Sequence, residues 1–323
     1  MNQSIRSEIA TVKLKKDREQ SITVCGAGGL SFTVELLRGM DISSAEFDGV
    51  SLAYFCQENL PVKIADTSYQ DICRESTFFY GLLSTCGLEN TGQKSRGEEG
   101  ECCLHGSLNL FPAEKVKTYA MGSMAVIEGE VKNGFERWNS LKLFRRIIYD
   151  DIQIKIRVED YVINTHNNRE QVCLMYHYNF GAPFLSEECE VQMEVESICP
   201  KNETAEKMYS QWEKIGRGIE GYPPHVFYCM LKKEKNDFSV ASLYNRSLQL
   251  KASVSYHTST LPKMDLWKYL SDKRYVLSFE PCNEFPLGRN EQLKQKRARY
   301  IEPYGCIRYL TEFQVERKRE DET

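Results

Sequence analysis

The stretch SLQLKASVSYH, residues 247–257, alternates between apolar and polar side chains. The side chains of one parity are apolar: Leu248, Leu250, Ala252, Val254 and Tyr256. Successive side chains of a β-strand point to opposite faces of the sheet, so this pattern predicts a strand with one buried face.

The same alternation recurs along the chain, in DDIQIKIRVED (150–160), CEVQMEVES (189–197) and IRYLTEFQVE (307–316). The inward positions predicted for the first two are Ile152, Ile154, Ile156, Val158, and Cys189, Val191, Met193, Val195. Helical periodicity is confined to two short candidates, ETAEKMYSQWEKI (203–215) and RNEQLKQKRARY (289–300). Many short strands with few helices predict an all-β, antiparallel domain of two packed sheets, a large sandwich or barrel.

The composition is that of one globular unit. Of the 323 residues, 41% are hydrophobic and 27% are charged, which is enough apolar side chain for a large core. The chain contains no internal repeat and no linker rich in Pro, Gly or Ser. We therefore expect a single domain over residues 1–323, with polar termini at 1–20 and 316–323.

Charge and hydropathy exclude several classes of partner. The 42 basic and 46 acidic residues are dispersed and give a net charge of -4, without the basic stripe that nucleic-acid binding requires. No stretch approaches the roughly 20 apolar residues of a membrane span, and the N-terminus lacks a signal-peptide core. The 12 cysteines show no zinc-finger spacing. These features predict a cytoplasmic protein with mostly reduced thiols.

Three side chains that can exchange protons stand out: His105 in CLHGS, His177 in MYHYNFGAP and Glu280 in LSFEPCN. If residues 175–183 form a strand, His177 and Asn179 share a face, opposite Tyr176, Tyr178 and Phe180. Each histidine could instead be structural, because a single strand histidine is more often a satisfied core residue than a catalyst. No HxH or HxxxH spacing supports a metal site.

Two further motifs have ordinary structural interpretations. GAGGL, residues 26–30, lacks the spacing of a phosphate-binding loop, which favours a strand bend or tight turn. The tryptophans at 138, 212 and 267 could stack on a sugar ring, although a hydrophobic core is their more frequent environment.

Six segments occur in an order that resembles one known family. They are LLRGMDI, STCGLENTG, CLHGSLNLFPAE, MYHYNFGAPFL, LPKMDLWKY and YVLSFEPCN. Together they are similar to the aldose 1-epimerase-like family of the galactose mutarotase superfamily, in its branch known as a domain of unknown function. The resemblance covers roughly residues 30 to 315. It implies a large antiparallel β-supersandwich that binds a sugar and needs no cofactor.

The resemblance also implies roles for individual residues. Glu280 would be the general base, His177 the general acid, and His105 a residue that helps to bind and polarise the sugar. Arg38, Asn90, Asn179 and His225 would contact the substrate. The implied reaction opens the sugar ring, turns the C1–C2 bond and closes the ring on the other face.

The sequence departs from the superfamily at GYPPHVFY, residues 221–228. The better-known mutarotases have a Gly-Tyr-Asp-His stretch, and here proline replaces the aspartate that grips sugar hydroxyls. This leaves two alternatives to a mutarotase open: a sugar-binding or sensing protein without turnover, and a metal-assisted isomerase or lyase. Edge strands of a sandwich allow either a monomer or a homodimer.

Overall fold

A computed structural model describes residues 12–17, 20–55, 81–97 and 100–318 of the chain. Parts of the predicted polar termini, residues 1–11, 18–19 and 319–323, lie outside the described residues. Within the described ranges, no helix is long and apolar enough to cross a membrane.

Short strands account for most of the described chain. The first eleven are β1 (Lys13–Asp17), β2 (Ser21–Cys25), β3 (Leu30–Glu35), β4 (Asp41–Phe47), β5 (Val50–Ser51), β6 (Leu83–Leu88), β7 (Ser95–Gly97), β8 (Gly100–Cys102), β9 (Ala113–Met121), β10 (Met124–Lys132) and β11 (Leu141–Asp150). The others are β12 (Lys155–Asn164), β13 (Glu170–Gly181), β14 (Cys189–Met193), β15 (Val195–Pro200), β16 (His225–Leu231), β17 (Phe238–Asn245), β18 (Leu250–His257), β19 (Lys263–Leu270), β20 (Tyr275–Cys282), β21 (Arg299–Ile301) and β22 (Cys306–Arg317).

The helices are few and short. In the described part they are α1 (Glu203–Lys207), α2 (Arg289–Lys294) and 3-10 turns at Leu108–Leu110, Glu136–Trp138, Tyr209–Gln211 and Lys235–Asp237. Helix α1 begins where the side chain of Asn202 accepts a hydrogen bond from the backbone N–H of Ala205. Both α-helices end well before the predicted segments do.

The described strands form two large antiparallel sheets. The larger, twelve-stranded sheet has the order β1-β2-β3-β4-β6-β13-β20-β19-β16-β15, with β5 paired to β4 and β21 to β13. The smaller, eight-stranded sheet has the order β14-β17-β18-β22-β12-β11-β10-β9, and β7 and β8 form a separate hairpin. The all-β sandwich architecture predicted from the alternation is thus confirmed.

The core lies between the two sheets. On β13, Tyr176, Tyr178 and Phe180 are fully buried and point toward the smaller sheet. The Tyr178 hydroxyl is 2.7 Å from Oγ1 of Thr311, and the Phe180 ring centroid is 6.3 Å from that of Phe313. Residues of the other parity on β13, including His177, therefore lie on the opposite face of the larger sheet.

Two strand predictions need correction. Residues 151–154 are a turn between β11 and β12, and the side chain of Ile152 is 78% exposed, so Ile152 and Ile154 do not belong to the predicted strand. In this turn the Asp151 carboxylate accepts hydrogen bonds from the N–H groups of Ala27 and Gly28. A hairpin turn anchored by these bonds prevails over the alternation of the sequence.

The predicted strand in 189–197 is in fact two strands in different sheets. β14 pairs with β17 in the smaller sheet, and β15 pairs with β16 in the larger one. The chain therefore crosses between the sheets near Glu194. The turn predicted at GAGGL is confirmed: Gly26 N–H donates to the Leu30 carbonyl, and Gly29 has a φ of 99°.

Candidate functional site

A cavity of about 690 Å³ opens on the face of the larger sheet that points away from the smaller one. His105, His177 and Glu280 all line it, so the structure brings the three predicted catalytic residues together. Trp267 lines it as well, and its ring centroid lies 5.9 Å from that of His177. At least one of the three tryptophans thus lies on the cavity wall rather than in the core between the sheets.

The cavity floor is a row of side chains on adjacent strands. Ser84 on β6 pairs with His177 on β13, and Nε2 of His177 lies 3.0 Å from Oε1 of Glu280 on β20. Glu280 in turn pairs with Asp265 on β19, and Asp265 pairs with Tyr228 on β16. Because neighbouring strands are about 4.8 Å apart, five successive strands present one residue each along a line.

Glu280 is a buried carboxylate held in its ionised form. Burial opposes ionisation, but the charge and hydrogen bond of His177 and the hydroxyl of Ser278 together hold the pKa of Glu280 below its ordinary value. Ser278 and His177 both bind Oε1. No described residue donates a hydrogen bond to Oε2, which leaves that oxygen for a ligand.

His105 lies in the loop after β8, where it has a left-handed backbone with φ 58°. Its N–H donates to the Gly92 carbonyl, and its carbonyl accepts from the N–H of Gly87. The Gly92 N–H is 3.3 Å from Nδ1 of His105, so Nδ1 is the acceptor and the ring proton lies on Nε2. Burial and the charge of His177 lower the pKa of His105 to about 3, which keeps the ring neutral.

The glycine after His105 is required by a close backbone approach. Gly106 has a φ of 77°, and a Cβ atom there would lie 2.4 Å from the carbonyl oxygen of Gly87. Only glycine fits such a contact. The LHG sequence thus packs the His105 loop directly against β6.

Two of the predicted substrate contacts lie beside the row rather than on the cavity surface. Nη2 of Arg38 is 3.3 Å from Oγ of Ser84, the neighbour of His177. Asn179 is buried, and its Nδ2 donates to the carbonyl of His177 at 3.3 Å. Neither side chain lines the cavity formed by the described residues.

The other two predicted substrate contacts, Asn90 and His225, do not line the cavity formed by the described residues either. Asn90 connects the segment after β6 to two other segments. Its Nδ2 donates to the Cys103 carbonyl at 2.6 Å, and its Oδ1 accepts from the N–H of Arg289 at 2.6 Å. On β16 the cavity is lined by Val226 and Tyr228, so His225, of the opposite parity, points into the interior. Burial and the charge of Lys268 lower the pKa of His225 to about 4.

Sequence reasoning missed Asp265, whose side chain lines the cavity next to Glu280. Burial and the charge of Glu280 raise the pKa of Asp265 well above its ordinary value, although Lys201 opposes this. The available signal was an acidic residue inside the apolar segment LPKMDLWKY, on the same parity as Trp267. An acid in a strand of this kind indicates either a buried partner or a site.

The described residues contain no group of three or more His, Cys, Asp or Glu side chains arranged to hold a metal ion. The cavity instead combines two imidazoles, one ionised carboxylate and one carboxyl of raised pKa. Such a set suits proton transfer to and from a polar ligand, since neighbouring titratable groups with separated pKa values divide into acid and base.

Comparison with solved structures identifies the class of fold. A candidate aldose 1-epimerase from Klebsiella pneumoniae superposes with a TM-score of 0.84 at 22% identity, covering 95% of this chain and 83% of that one. A galactose mutarotase-like protein from Clostridium acetobutylicum gives 0.68 at 13%, covering 97% and 100%. Galactose 1-epimerase from Lactobacillus acidophilus gives 0.62 at 12%, covering 96% and 99%. The fold is therefore that of the galactose mutarotase-like β-sandwich proteins.

Within that class the family is defined by sequence. Residues 19–315 match the family described as a domain of unknown function, DUF4432, and the chain belongs to it. No curated protein matches the sequence. The expectation of a family described as a domain of unknown function, on the fold of the aldose 1-epimerase-like proteins, is confirmed.

Proposed function

We propose that the protein interconverts the anomers of an aldose by acid–base catalysis in this cavity. The observation that supports the proposal is the contact of 3.0 Å between Nε2 of His177 and Oε1 of Glu280 on the cavity floor. A base and an acid fixed side by side can serve two oxygen atoms bonded to one carbon. The anomeric carbon of a cyclic aldose carries two such atoms, the ring oxygen and the anomeric hydroxyl.

Glu280 acts as the base. Its pKa is held below the ordinary value, so the carboxylate is ionised at neutral pH, and Oε2 is available to take the proton of the anomeric hydroxyl. His177 acts as the acid and gives a proton to the ring oxygen as the bond between that oxygen and C1 breaks. The product is the open-chain aldehyde, and no electrons are gained or lost.

Ring closure reverses both proton transfers after the C1–C2 bond has turned. The oxygen that was in the ring attacks the other face of the aldehyde and returns its proton to His177. The new anomeric oxygen takes a proton from Glu280. His105, neutral with its proton on Nε2, donates a hydrogen bond to the sugar and supports the polarisation of the reacting oxygen.

The direct test is anomer exchange measured by NMR over a panel of neutral, deoxy, acidic and phosphorylated aldoses. We expect acceleration for one class of sugar, and a loss of at least about 10²-fold in Glu280→Gln and in His177→Asn, because each change removes one proton carrier. Glu130→Gln, which changes a half-buried carboxylate of the smaller sheet away from the cavity, is the control and keeps full activity. Undiminished exchange in Glu280→Gln contradicts the assignment of the base.

The same experiment separates the two alternatives. Line broadening that reports binding, without exchange for any sugar, identifies a binding or sensing protein. Exchange that is abolished by a chelator and restored by one divalent ion identifies a metal-assisted reaction.

A further inference from the structure

The cavity contains a carboxyl group to which the proposed reaction assigns no role. Asp265 is 4% exposed, and its Oδ1 has no hydrogen-bond partner among the described residues. It lies on β19 directly opposite Glu280 and lines the same cavity. A buried polar atom without a partner costs free energy, so its presence on a cavity wall points to a ligand that completes it.

The surroundings of Asp265 determine what it offers a ligand. Burial and the charge of Glu280 raise the pKa of this carboxyl well above its ordinary value, against the charge of Lys201, and this favours its protonated form. A protonated carboxyl both donates and accepts a hydrogen bond. It therefore matches a hydroxyl group, which does the same.

The order of the row decides which hydroxyl this is. His177, Glu280 and Asp265 occupy three successive strands, β13, β20 and β19, with Glu280 in the middle. In a cyclic aldose the anomeric hydroxyl likewise stands between the ring oxygen on one side and the 2-hydroxyl on the other. With Glu280 at the anomeric hydroxyl and His177 at the ring oxygen, Asp265 faces the substituent on C2.

We infer that Asp265 binds the 2-hydroxyl of the sugar, so that the substrates are aldoses with a free hydroxyl on C2. This inference rests on the proposed function. Asp265 is then a residue that determines specificity, separate from the two proton carriers. Binding a 2-deoxy sugar leaves the buried carboxyl unsatisfied, which lowers kcat/KM by about 10- to 100-fold relative to the parent sugar.

The test compares matched sugars in anomer exchange: glucose with 2-deoxyglucose, and galactose with 2-deoxygalactose. For the wild type we expect the parent sugar of an accepted pair to be preferred by about 10- to 100-fold. In Asp265→Ala the preference falls to about 1, because the parent loses its contact while the 2-deoxy sugar loses nothing. In Asp265→Asn, whose amide still donates and accepts, much of the preference remains. Asp272→Asn, in an exposed turn, is the matched control.

The outcomes separate this inference from the proposed function. Equal exchange of the parent and its 2-deoxy analogue by the wild type, or an unchanged preference in Asp265→Ala, overturns the role of Asp265 and leaves the mutarotase proposal standing. Absence of exchange for both members of both pairs, with no sugar of the wider panel exchanged either, overturns both. If Asp265 had only a structural role, Asp265→Ala would change the rates for both sugars by the same factor and leave their ratio intact.

Discussion

Glu280 and Asp265 are paired residues on adjacent strands, yet their pKa values move in opposite directions. Burial raises both. Only Glu280 receives hydrogen bonds from Ser278 and His177, and these stabilise its charged form. The hydrogen-bond donors around each carboxyl, rather than depth of burial, therefore decide whose pKa is low enough for the proposed role of a base.

The first prediction concerns pH. Because the pKa of Glu280 lies below its ordinary 4.5, the acid limb of kcat/KM that reports this base lies below pH 4.5 in the wild type. Ser278→Ala removes one donor to the carboxylate, which destabilises the charged form and raises the pKa. We expect the acid limb to move upward by about one pH unit.

A pH–rate profile of Ser278→Ala against the wild type measures this shift. Ser253→Ala, which removes a hydroxyl from the half-buried pair with Ser242 in the smaller sheet, controls for general effects of losing a serine. An acid limb that stays in place in Ser278→Ala shows that Ser278 does not tune the base.

The sequence allowed some of these residues to be found and not others. His177 and Glu280 stand out because polar residues interrupt aromatic and apolar strands. His225 also interrupts an apolar strand, but its side chain points into the core rather than into the cavity. Neighbouring residues of a strand face opposite sides of the sheet, so an offset of one residue is enough to change the side. Asp265 was not predicted because its position in the site depends on its pairing with Glu280 on the adjacent strand, and only the register of the sheet shows that pairing.

At the scale of elements, the loop that carries His105 is fixed by a buried polar network. The Ser107 hydroxyl donates to Oε1 of Glu89 at 2.5 Å, and Nδ2 of Asn133 donates to Ser107 at 2.8 Å. Nη1 of Arg289 lies 3.5 Å from the Glu89 carbonyl. The loop, β6 and α2 are thereby joined behind the cavity.

This network predicts a pH-dependent stability. Burial raises the pKa of Glu89 from 4.5 to about 7, against the hydrogen bond of Ser107 and the charge of Arg289. Between pH 4.5 and 7 the Glu89 carboxyl is ionised in the unfolded chain but protonated in the folded protein. Glu89 therefore destabilises the fold increasingly as the pH rises through this range, and the destabilisation is constant above about pH 7. Glu89→Gln removes the effect, and its stability relative to wild type should rise by about 2 to 3 kcal/mol between pH 4.5 and 7.

Urea unfolding at several pH values measures this difference. Glu101→Gln, an exposed carboxylate of the neighbouring hairpin, should differ from the wild type by nearly the same amount at every pH. If the difference between Glu89→Gln and the wild type is also independent of pH, the carboxyl of Glu89 is not buried in solution.

Two of the predicted strands, in residues 150–160 and 189–197, were wrong because tertiary structure overrides the local alternation there. The alternation through Ile152 and Ile154 is as regular as that of β18, but Asp151 is engaged by the turn between β2 and β3. The chain segment 189–197 likewise alternates without interruption while it passes from one sheet to the other. Periodicity identifies which residues are buried, and it carries no information about which sheet buries them.

For the molecule as a whole, one arginine joins the two sheets. Arg145 on β11 is fully buried, and its guanidinium binds both carboxylate oxygens of Asp160 at 2.7 and 2.9 Å. It also reaches Asp41 of the larger sheet at 3.3 Å and the Thr85 hydroxyl at 2.8 Å. Thr85 adjoins Ser84, so the ion cluster lies directly beneath the row that forms the cavity floor.

Removal of this arginine should be costly. Arg145→Met leaves the buried Asp160 without its cation and leaves the buried Asp41 with only Arg38, 3.9 Å away. We expect a loss of about 3 to 5 kcal/mol in the free energy of unfolding. Arg308→Met is the matched control, because Arg308 pairs with Glu159 while half exposed, and a pair of that kind contributes about 1 kcal/mol or less. Denaturant unfolding compares the two, and equal losses would show that the cluster is no more important than a surface ion pair.

The row on the cavity floor also relates the proposed activity to the order in which the chain folds. Six strands separate β13, which carries His177, from β20, which carries Glu280, although the two are neighbours in the sheet. Such non-local pairing closes slowly, because the intervening chain must first be ordered. Chain that has emerged only as far as β18 contains His177 but neither Asp265 nor Glu280, so the proposed pair of acid and base is complete only when β20 has been added.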